Sequence, residues 1–263
     1  MLPLSVITIN LNNVDGLQKT IESVVSQKYR DFEWIVIDGG STDGSKALIE
    51  QYADRFSYWV SEPDKGIYHA MNKGIGASKG DYLLFLNSGD YLYDNEVLSK
   101  AVPKLQGKDF YIGDELHDQL HVSCGISTNV QLYLTLMNAS FPHQSTFINR
   151  NVFHKYGYYR EDLRCVSDWY LFYKAIILGT ATFDKLCFVV SVFDMNGISQ
   201  SELADSEREA VFSEIPHVVR SIRFYYENWE IVQALKANRC CFLLFRVYYY
   251  FYRRWKHSRR NQS

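Results

Sequence analysis

Polar residues able to do chemistry gather where three apolar runs end. Asn10 closes Leu4–Asn10 (LSVITIN), Asp38 closes Glu33–Asp38 (EWIVID), and Asn87-Ser88-Gly89-Asp90 follows Asp81–Leu86 (DYLLFL). A carboxylate at such an end can accept the N3–H of a uracil, while main-chain groups around Thr8–Asn10 meet the base edges. The alternative for Asp38 is a turn that Gly39-Gly40 permits. Three coincident ends favour the ligand-binding reading. Asp90 offers a hard oxygen ligand just past an apolar strand, suited to a Mg²⁺ or Mn²⁺ beside a diphosphate. Its alternative is a turn Asp capping Tyr91–Asn95. Gly39–Gly44 has neither the GxGxxG nor the GK[ST] pattern of a phosphate loop. Ser41 or Thr42 capping the next helix is the better reading there.

These ends need a scaffold that brings them together. Leu4–Asn10, Glu33–Asp38, Tyr58–Ser61 and Asp81–Leu86 read as strands. Asp15–Gln27, a segment from Asp43, and Gly66–Ser78 read as the helices between them. That alternation predicts an α/β fold with a mostly parallel, doubly wound sheet, whose strand carboxyl ends share one crevice. After about residue 105 the pattern loosens. Strands are expected at Asp109–Gly113 and Ser145–Asn149, with one or two within Thr182–Phe193. Helices are expected at Val130–Asn138 and Asp168–Leu178, the latter amphipathic.

The chain has 263 residues, 47% of them hydrophobic, enough for one substantial core. No apolar run approaches the length of a membrane span. Met1–Leu4 lacks the basic start and cleavage site of a signal peptide. Five cysteines without CxxC spacing argue against a zinc site or a disulfide framework and fit a reducing cytosol. The formal charge of −2 conceals an asymmetry. Residues 236–263 hold eight basic residues and no acid, leaving twenty basic against thirty acidic residues before them. The missing glycine fingerprint after the first strand argues against a nicotinamide-dependent oxidoreductase.

Several stretches, in order, carry a resemblance: SVITINLNN at 5–13, IESVVSQKYRDFEWIVIDGGSTDGS at 21–45 and YWVSEPDKGIYHAMNKGIGASKGDYLLFLNSGD at 58–90. FPHQSTFINR at 141–150 and VSDWYLFYKAI at 166–176 follow. Together they resemble the inverting family 2 glycosyltransferases of the GT-A fold, and within them the bacterial surface-polysaccharide enzymes. The resemblance covers nearly all of residues 4–200. It implies a GT-A domain over 1–205, with a nucleotide-sugar donor half (1–105) and an acceptor half (106–205), followed by a helical extension (206–263).

Position by position, the resemblance implies that Asp38 binds the nucleobase. Asp64 and Lys65 would lie near the ribose and pyrophosphate, with Asn72 and Lys73 close by. Asn87, Ser88 and Gly89 stand where the family carries its metal-binding DxD, so Asp90 is the carboxylate that remains for Mg²⁺ or Mn²⁺. Asp168 resembles the catalytic base; its alternative is a helix N-cap. A sugar hydroxyl is a weak nucleophile, and a carboxylate within hydrogen-bond reach can take its proton during attack on C1. His143 and Gln144 are expected to contact acceptor or donor sugar, and Trp169 to stack on a sugar face or to belong to the core.

The expected reaction moves a sugar, from a UDP-sugar, onto a lipid-linked or oligosaccharide acceptor. The rival is a non-catalytic module binding nucleotide sugars or glycans, with a decayed metal motif. In the tail, Arg239–Arg260 mixes basic residues with Phe242, Phe245, Tyr248–Tyr250, Phe251, Tyr252 and Trp255. That composition suits a helix in the headgroup region of an anionic membrane. It predicts a cytoplasmic enzyme peripheral on the inner face of the membrane. An oligomerisation helix, giving a homo-oligomer, is the alternative; a nucleic-acid partner is not expected.

Overall fold

A computed structural model describes residues 2–117, 136, 140–194 and 202–214. Contacts divide the chain into two compact units, Met1–Ala210 and Val211–Ser263. The account below concerns the first. The tail segment and most of the helix expected at Val130–Asn138 lie outside the described residues.

Eight strands form one sheet: β1 (Leu4–Asn10), β2 (Glu33–Asp38), β3 (Tyr58–Ser61), β4 (Tyr82–Phe85), β5 (Tyr91–Leu92), β6 (Phe110–His117), β7 (Thr146–Asn149) and β8 (Phe183–Phe193). Their order is β3-β2-β1-β4-β7-β6-β8-β5. β1 to β4 pair in parallel, β7 is antiparallel to both β4 and β6, β6 and β8 are parallel, and β5 is antiparallel to β8. Six strands therefore run in one direction. Reversal at β7 and β5 places their amino ends at the carboxyl edge of the other six. This is the fold expected from the sequence, an α/β sheet of GT-A type.

β1 and β2 are buried along their whole length, which is why they read as continuous apolar runs rather than alternating ones. Helix α1 (Val14–Val25) lays Leu17, Ile21 and Val24 on the core and is capped by Asn13, whose Oδ1 accepts from the Gly16 N–H at 3.1 Å. Helix α2 (Ser45–Gln51) starts later than expected. Gly44 in the left-handed region precedes it, and Asp43 Oδ1 accepts from the Ser45 N–H at 3.0 Å. Ser41 and Thr42 therefore do not cap it. Helix α3 (Ile67–Ala77) lies against β1 and β2.

Two short helices, α4 (Val97–Ala101) and α5 (Asn151–Tyr156), are too brief to show periodicity in sequence. The amphipathic segment at 168–178 is α6 (Ser167–Phe172) continuing into a π-helical turn, Tyr173–Leu178, that keeps Tyr173, Ala175 and Ile176 buried. The last described helix is α7 (Glu202–Glu214). Thr182–Phe193 contributes a single long strand, β8.

Gly74 fixes how closely α3 approaches the sheet. A Cβ there would fall 2.4 Å from Ile7 Cγ2, in the middle of β1. Gly74→Val should destabilise the fold by about 2 kcal/mol through overpacking, despite the better helix propensity of any side chain over glycine. A urea denaturation midpoint unchanged from wild type would contradict this packing.

Candidate active site

A crevice of about 630 Å³ runs along the carboxyl edge of the sheet. Its size is that of a small-ligand site. Its walls come from the ends of β1, β4, β6 and β8, the turn before β7, the first turns of α3, and the start of α6.

At the β1–β2 end, Asn10 Nδ2 donates to Asp38 Oδ1 at 2.7 Å and to Ser41 Oγ at 3.1 Å. Asp38 is fully buried and also accepts from the Ser41 N–H (3.0 Å), Ser41 Oγ (2.5 Å) and Ser61 Oγ (2.6 Å). Burial alone would raise its carboxyl; the Ser41, Ser61 and Asn10 donors outweigh it and hold the group below its usual range. Four donors occupy the two oxygens. A uracil N3–H would reach Asp38 by displacing one of these donors, whereas Asn10 itself lines the crevice.

Other residues of the expected donor set have structural partners. Thr8 is buried, its Oγ1 accepting from Trp34 Nε1 at 3.1 Å, and its strand is paired on both sides, so it is framework rather than a base contact. Asn72 clasps the main chain of Tyr159 from both sides, Nδ2 donating to the carbonyl at 2.9 Å and Oδ1 accepting from the N–H at 3.1 Å. Lys73 pairs with Glu62 at 2.5 Å. Neither Asn72 nor Lys73 lines the crevice, although Tyr68 and Met71 of the same helix do. Asp64 lies over Gly39, where a Cβ would fall 2.6 Å from its Oδ2, and its Oδ1 accepts from the Gly66 N–H at 2.8 Å. Lys65 is exposed. Neither Asp64 nor Lys65 lines the crevice.

The 87–90 segment lies at the crevice centre. The Ser88 N–H donates to Ile9 O at 3.0 Å, and its carbonyl accepts from Asn13 Nδ2 at 3.1 Å. Asn87 Nδ2 faces His143 Nε2 at 3.0 Å, while its buried Oδ1 has no partner among the described residues. Asp90 is 4% exposed, and its Oδ1 accepts from the Asp194 N–H at 3.0 Å. Burial, reinforced by Glu115 and Asp194 and opposed by His143, pushes its carboxyl up to about 7.

Asp194 carries no motif and was not anticipated. Pairing of β5 with β8 brings it beside Asp90, 104 residues away in sequence, and its carboxylate packs on Gly89. Among the described residues no three His, Cys, Asp or Glu side chains converge as a metal-holding group. Asp90 and Asp194 provide two adjacent carboxylates, a set that a donor's phosphate oxygens would have to complete.

Asp168 is not an N-cap: Val166 occupies that position, and Asp168 lies inside the first turn. Its Oδ1 accepts from Tyr68 Oη at 2.9 Å and its Oδ2 pairs with His143 Nδ1 at 3.2 Å. Burial alone would raise the carboxyl. The His143 bond and charge, the Trp169 N–H and the Tyr68 hydroxyl outweigh it and hold Asp168 below its usual range. His143 moves the opposite way: burial opposes its charge, but Asp168, Asp90 and Glu115 raise it. Tyr68 was likewise not anticipated; the packing of α3 against the start of α6 brings it to Asp168.

Gln144 lines the crevice, with Nε2 donating to Glu115 Oε2 at 2.6 Å. Trp169 belongs to the core. It is fully buried, packs on Tyr173, and donates Nε1–H to Leu136 O at 2.8 Å, so no sugar can stack on it.

The model of glycosyl transferase family 2 matches residues 5–117. An uncharacterized glycosyltransferase of Mycobacterium tuberculosis is 35% identical over 218 residues, covering 80% of each chain. The chain belongs to glycosyl transferase family 2. A PGL/p-HBAD biosynthesis glycosyltransferase of Mycobacterium bovis is 29% identical over 171 residues, covering 63% of this chain and 66% of that one. Among solved structures, S. aureus TarS 1-349 in complex with UDP-GlcNAc superposes with a TM-score of 0.64 at 17% identity, covering 77% of this chain and 60% of that one. The mannosyltransferase PcManGT of Pyrobaculum calidifontis, in complex with GDP-Man and Mn2+, gives 0.56 at 18% identity, covering 72% and 56%. At these identities the likeness shows the shared fold. This family 2 chain spans less than two thirds of either solved structure.

The Asp168–His143 pair makes a checkable electrostatic statement. Each favours the charged form of the other, so Asp168→Asn should lower the His143 titration midpoint, and wild-type His143 should titrate above an ordinary imidazole. NMR of the imidazole carbons measures both. A midpoint that does not move in Asp168→Asn would contradict the pairing.

Proposed function

We propose that the chain transfers a sugar from a nucleotide sugar, of the UDP class, to a lipid-linked or oligosaccharide acceptor with inversion. The observation that carries this is Asp168, a carboxylate held ionised at the crevice wall by Tyr68 and His143. An acceptor hydroxyl beside it would pass its proton to Asp168 as the oxygen attacks C1. The nucleoside diphosphate departs on the opposite side, so one displacement inverts the anomeric centre. Solved structures of similar fold hold UDP-GlcNAc or GDP-Man, which supports a nucleotide-sugar donor.

Asp90 and Asp194 would hold Mg²⁺ or Mn²⁺ together with donor phosphates, and the cation would neutralise charge on the leaving group. Asn10, Asn87 and Ser88 line the donor end. The basic, aromatic tail after residue 236 would bring the enzyme to an anionic membrane that presents the acceptor. No described helix is long and apolar enough to cross a membrane. The biosynthetic setting would be surface polysaccharide or glycolipid assembly, as the naming of the M. bovis relative supports.

Incubation with Mn²⁺ and a panel of UDP-sugars should show slow hydrolysis of one donor, and faster turnover with lipid-linked acceptor. Asp168→Asn should lower turnover by roughly 10²–10⁴-fold, the range for a positioned base, while UDP binding persists. Donor binding without turnover on any acceptor would instead favour a non-catalytic module.

Because Asp90 must give up its proton to take a cation, and titrates near 7 without one, apparent Mn²⁺ affinity with UDP present should rise from pH 6 to pH 8. A flat profile by calorimetry would contradict that assignment. Sedimentation with anionic vesicles should be salt-sensitive and lost on deleting residues 236–263; retained binding would sink the membrane role.

A further inference from the structure

One wall of the crevice is left without a role in donor binding or proton transfer. It is built by the carboxyl ends of β6 and β8, which pair Glu115 with Ser191 and His117 with Phe193. The register shifts between Ile112 and Asp114, and again between Asp114 and Glu115. Such bulges re-aim side chains beside functional sites. Here Glu115, His117 and Phe193 all line the crevice.

Glu115 is 8% exposed. Its Oε1 pairs with His117 Nε2 at 2.9 Å and its Oε2 accepts from Gln144 Nε2 at 2.6 Å. The His117 and Phe193 rings lie 5.5 Å apart at 55°. A nearly buried carboxylate oriented by an amide and an imidazole, next to an aromatic face, has the composition that recognises a sugar ring. Hydroxyls bond to the polar groups, and the C–H face packs on the ring.

Position separates this wall from the donor end. From β1 to β6 there are three strand spacings (β1-β4-β7-β6), roughly 14 Å at about 4.8 Å each. A nucleotide anchored at Asn10 would use that length for its ribose and diphosphate.

We propose that Glu115, His117, Gln144 and Phe193 form the acceptor subsite, and that it takes an uncharged pyranose. This rests on the glycosyl-transfer reading above and names the substrate class for it. The preference for an uncharged ring follows from the lining. Asp90, Glu115, Asp168 and Asp194 face the same crevice, and among the described residues Arg164 is the one Lys or Arg that lines it. A uronic acid or phosphorylated sugar would meet like charge at this wall.

The test uses the full chain and octyl β-glucoside, octyl β-galactoside and octyl β-glucuronide as probes, with UDP binding measured in parallel by calorimetry. At least one neutral glycoside should give saturation-transfer NMR signals to its ring protons, and the glucuronide should bind about tenfold more weakly or not at all. Phe193→Ala and His117→Ala should each weaken the neutral glycoside by about tenfold, the scale of one lost pocket contact, with UDP affinity unchanged. Glu115→Gln keeps the shape of the wall should Glu115→Ala fail to fold, and it should relieve the discrimination against the glucuronide.

Wild-type protein that binds UDP but none of the neutral glycosides overturns the subsite. So does glycoside binding that survives both ring variants, or a glucuronide that binds as well as glucoside. Loss of UDP binding alone in these variants would move the wall to the donor side and also overturn it. Wild-type protein that takes glycosides but no UDP refutes the nucleotide-sugar reading instead, so the two failures are distinguishable.

Discussion

Everything else at the site is arranged around a carboxylate kept charged away from water. Burying an ion costs several kcal/mol unless donors replace its hydration. Asp168 receives them from two other segments: Tyr68 on α3, and His143 in the turn before β7. Neither donor is near Asp168 in sequence, and the first stands 100 residues away. The charged site therefore exists only when α3, the β7 turn and α6 have all docked. Losing one donor leaves the other to compensate for the burial of a whole charge.

The sheet makes that convergence possible. Six strands deliver their carboxyl ends to one edge, and the two reversed strands deliver their amino ends to the same edge. His143 and Gln144 reach the crevice because β7 runs backwards; in a wholly parallel sheet a turn preceding a strand would open at the far edge. Asp90 reaches it for the same reason, standing just before β5. The antiparallel members are thus what add a second set of functional positions to the parallel edge.

Legibility in the sequence followed burial. β1 and β2 match the sequence reading residue for residue, because central parallel strands are apolar throughout and are bounded by polar turns, and the edge strand β3, only partly buried, matches as well. α3 differs from its expected span by one residue at each end. Motif membership located the crevice but did not reveal which way each side chain points. Asn72 and Lys73 belong to the same segment as Tyr68, yet Tyr68 meets Asp168 while Asn72 and Lys73 bind Tyr159 and Glu62. Trp169, adjacent to the buried carboxylate, points into the core. Glu115, His117 and Asp194 were invisible because strand pairing and a bulge, not local spacing, bring them to the wall.

Gly89 shows how a departure from a family pattern can be accommodated at long range. Where the family's DxD carries a second carboxylate, this chain has a glycine with φ of 106°, and a Cβ there would fall 2.5 Å from Asp194 Oδ2. A side chain at 89 and the present position of Asp194 exclude each other. The carboxylate that the local motif lacks is, in the proposed reading, supplied by Asp194, just past the end of β8 and beside Asp90. In the proposed reading the charge presented to a cation is then similar in amount but different in origin, since it depends on β5–β8 pairing. Burial, reinforced by the like charges of Glu115 and Asp194, pushes the Asp90 carboxyl up to about 7. Such a pair gains most from a divalent ion once donor phosphates arrive with it, so the arrangement couples cation binding to donor binding more tightly than a self-sufficient motif would.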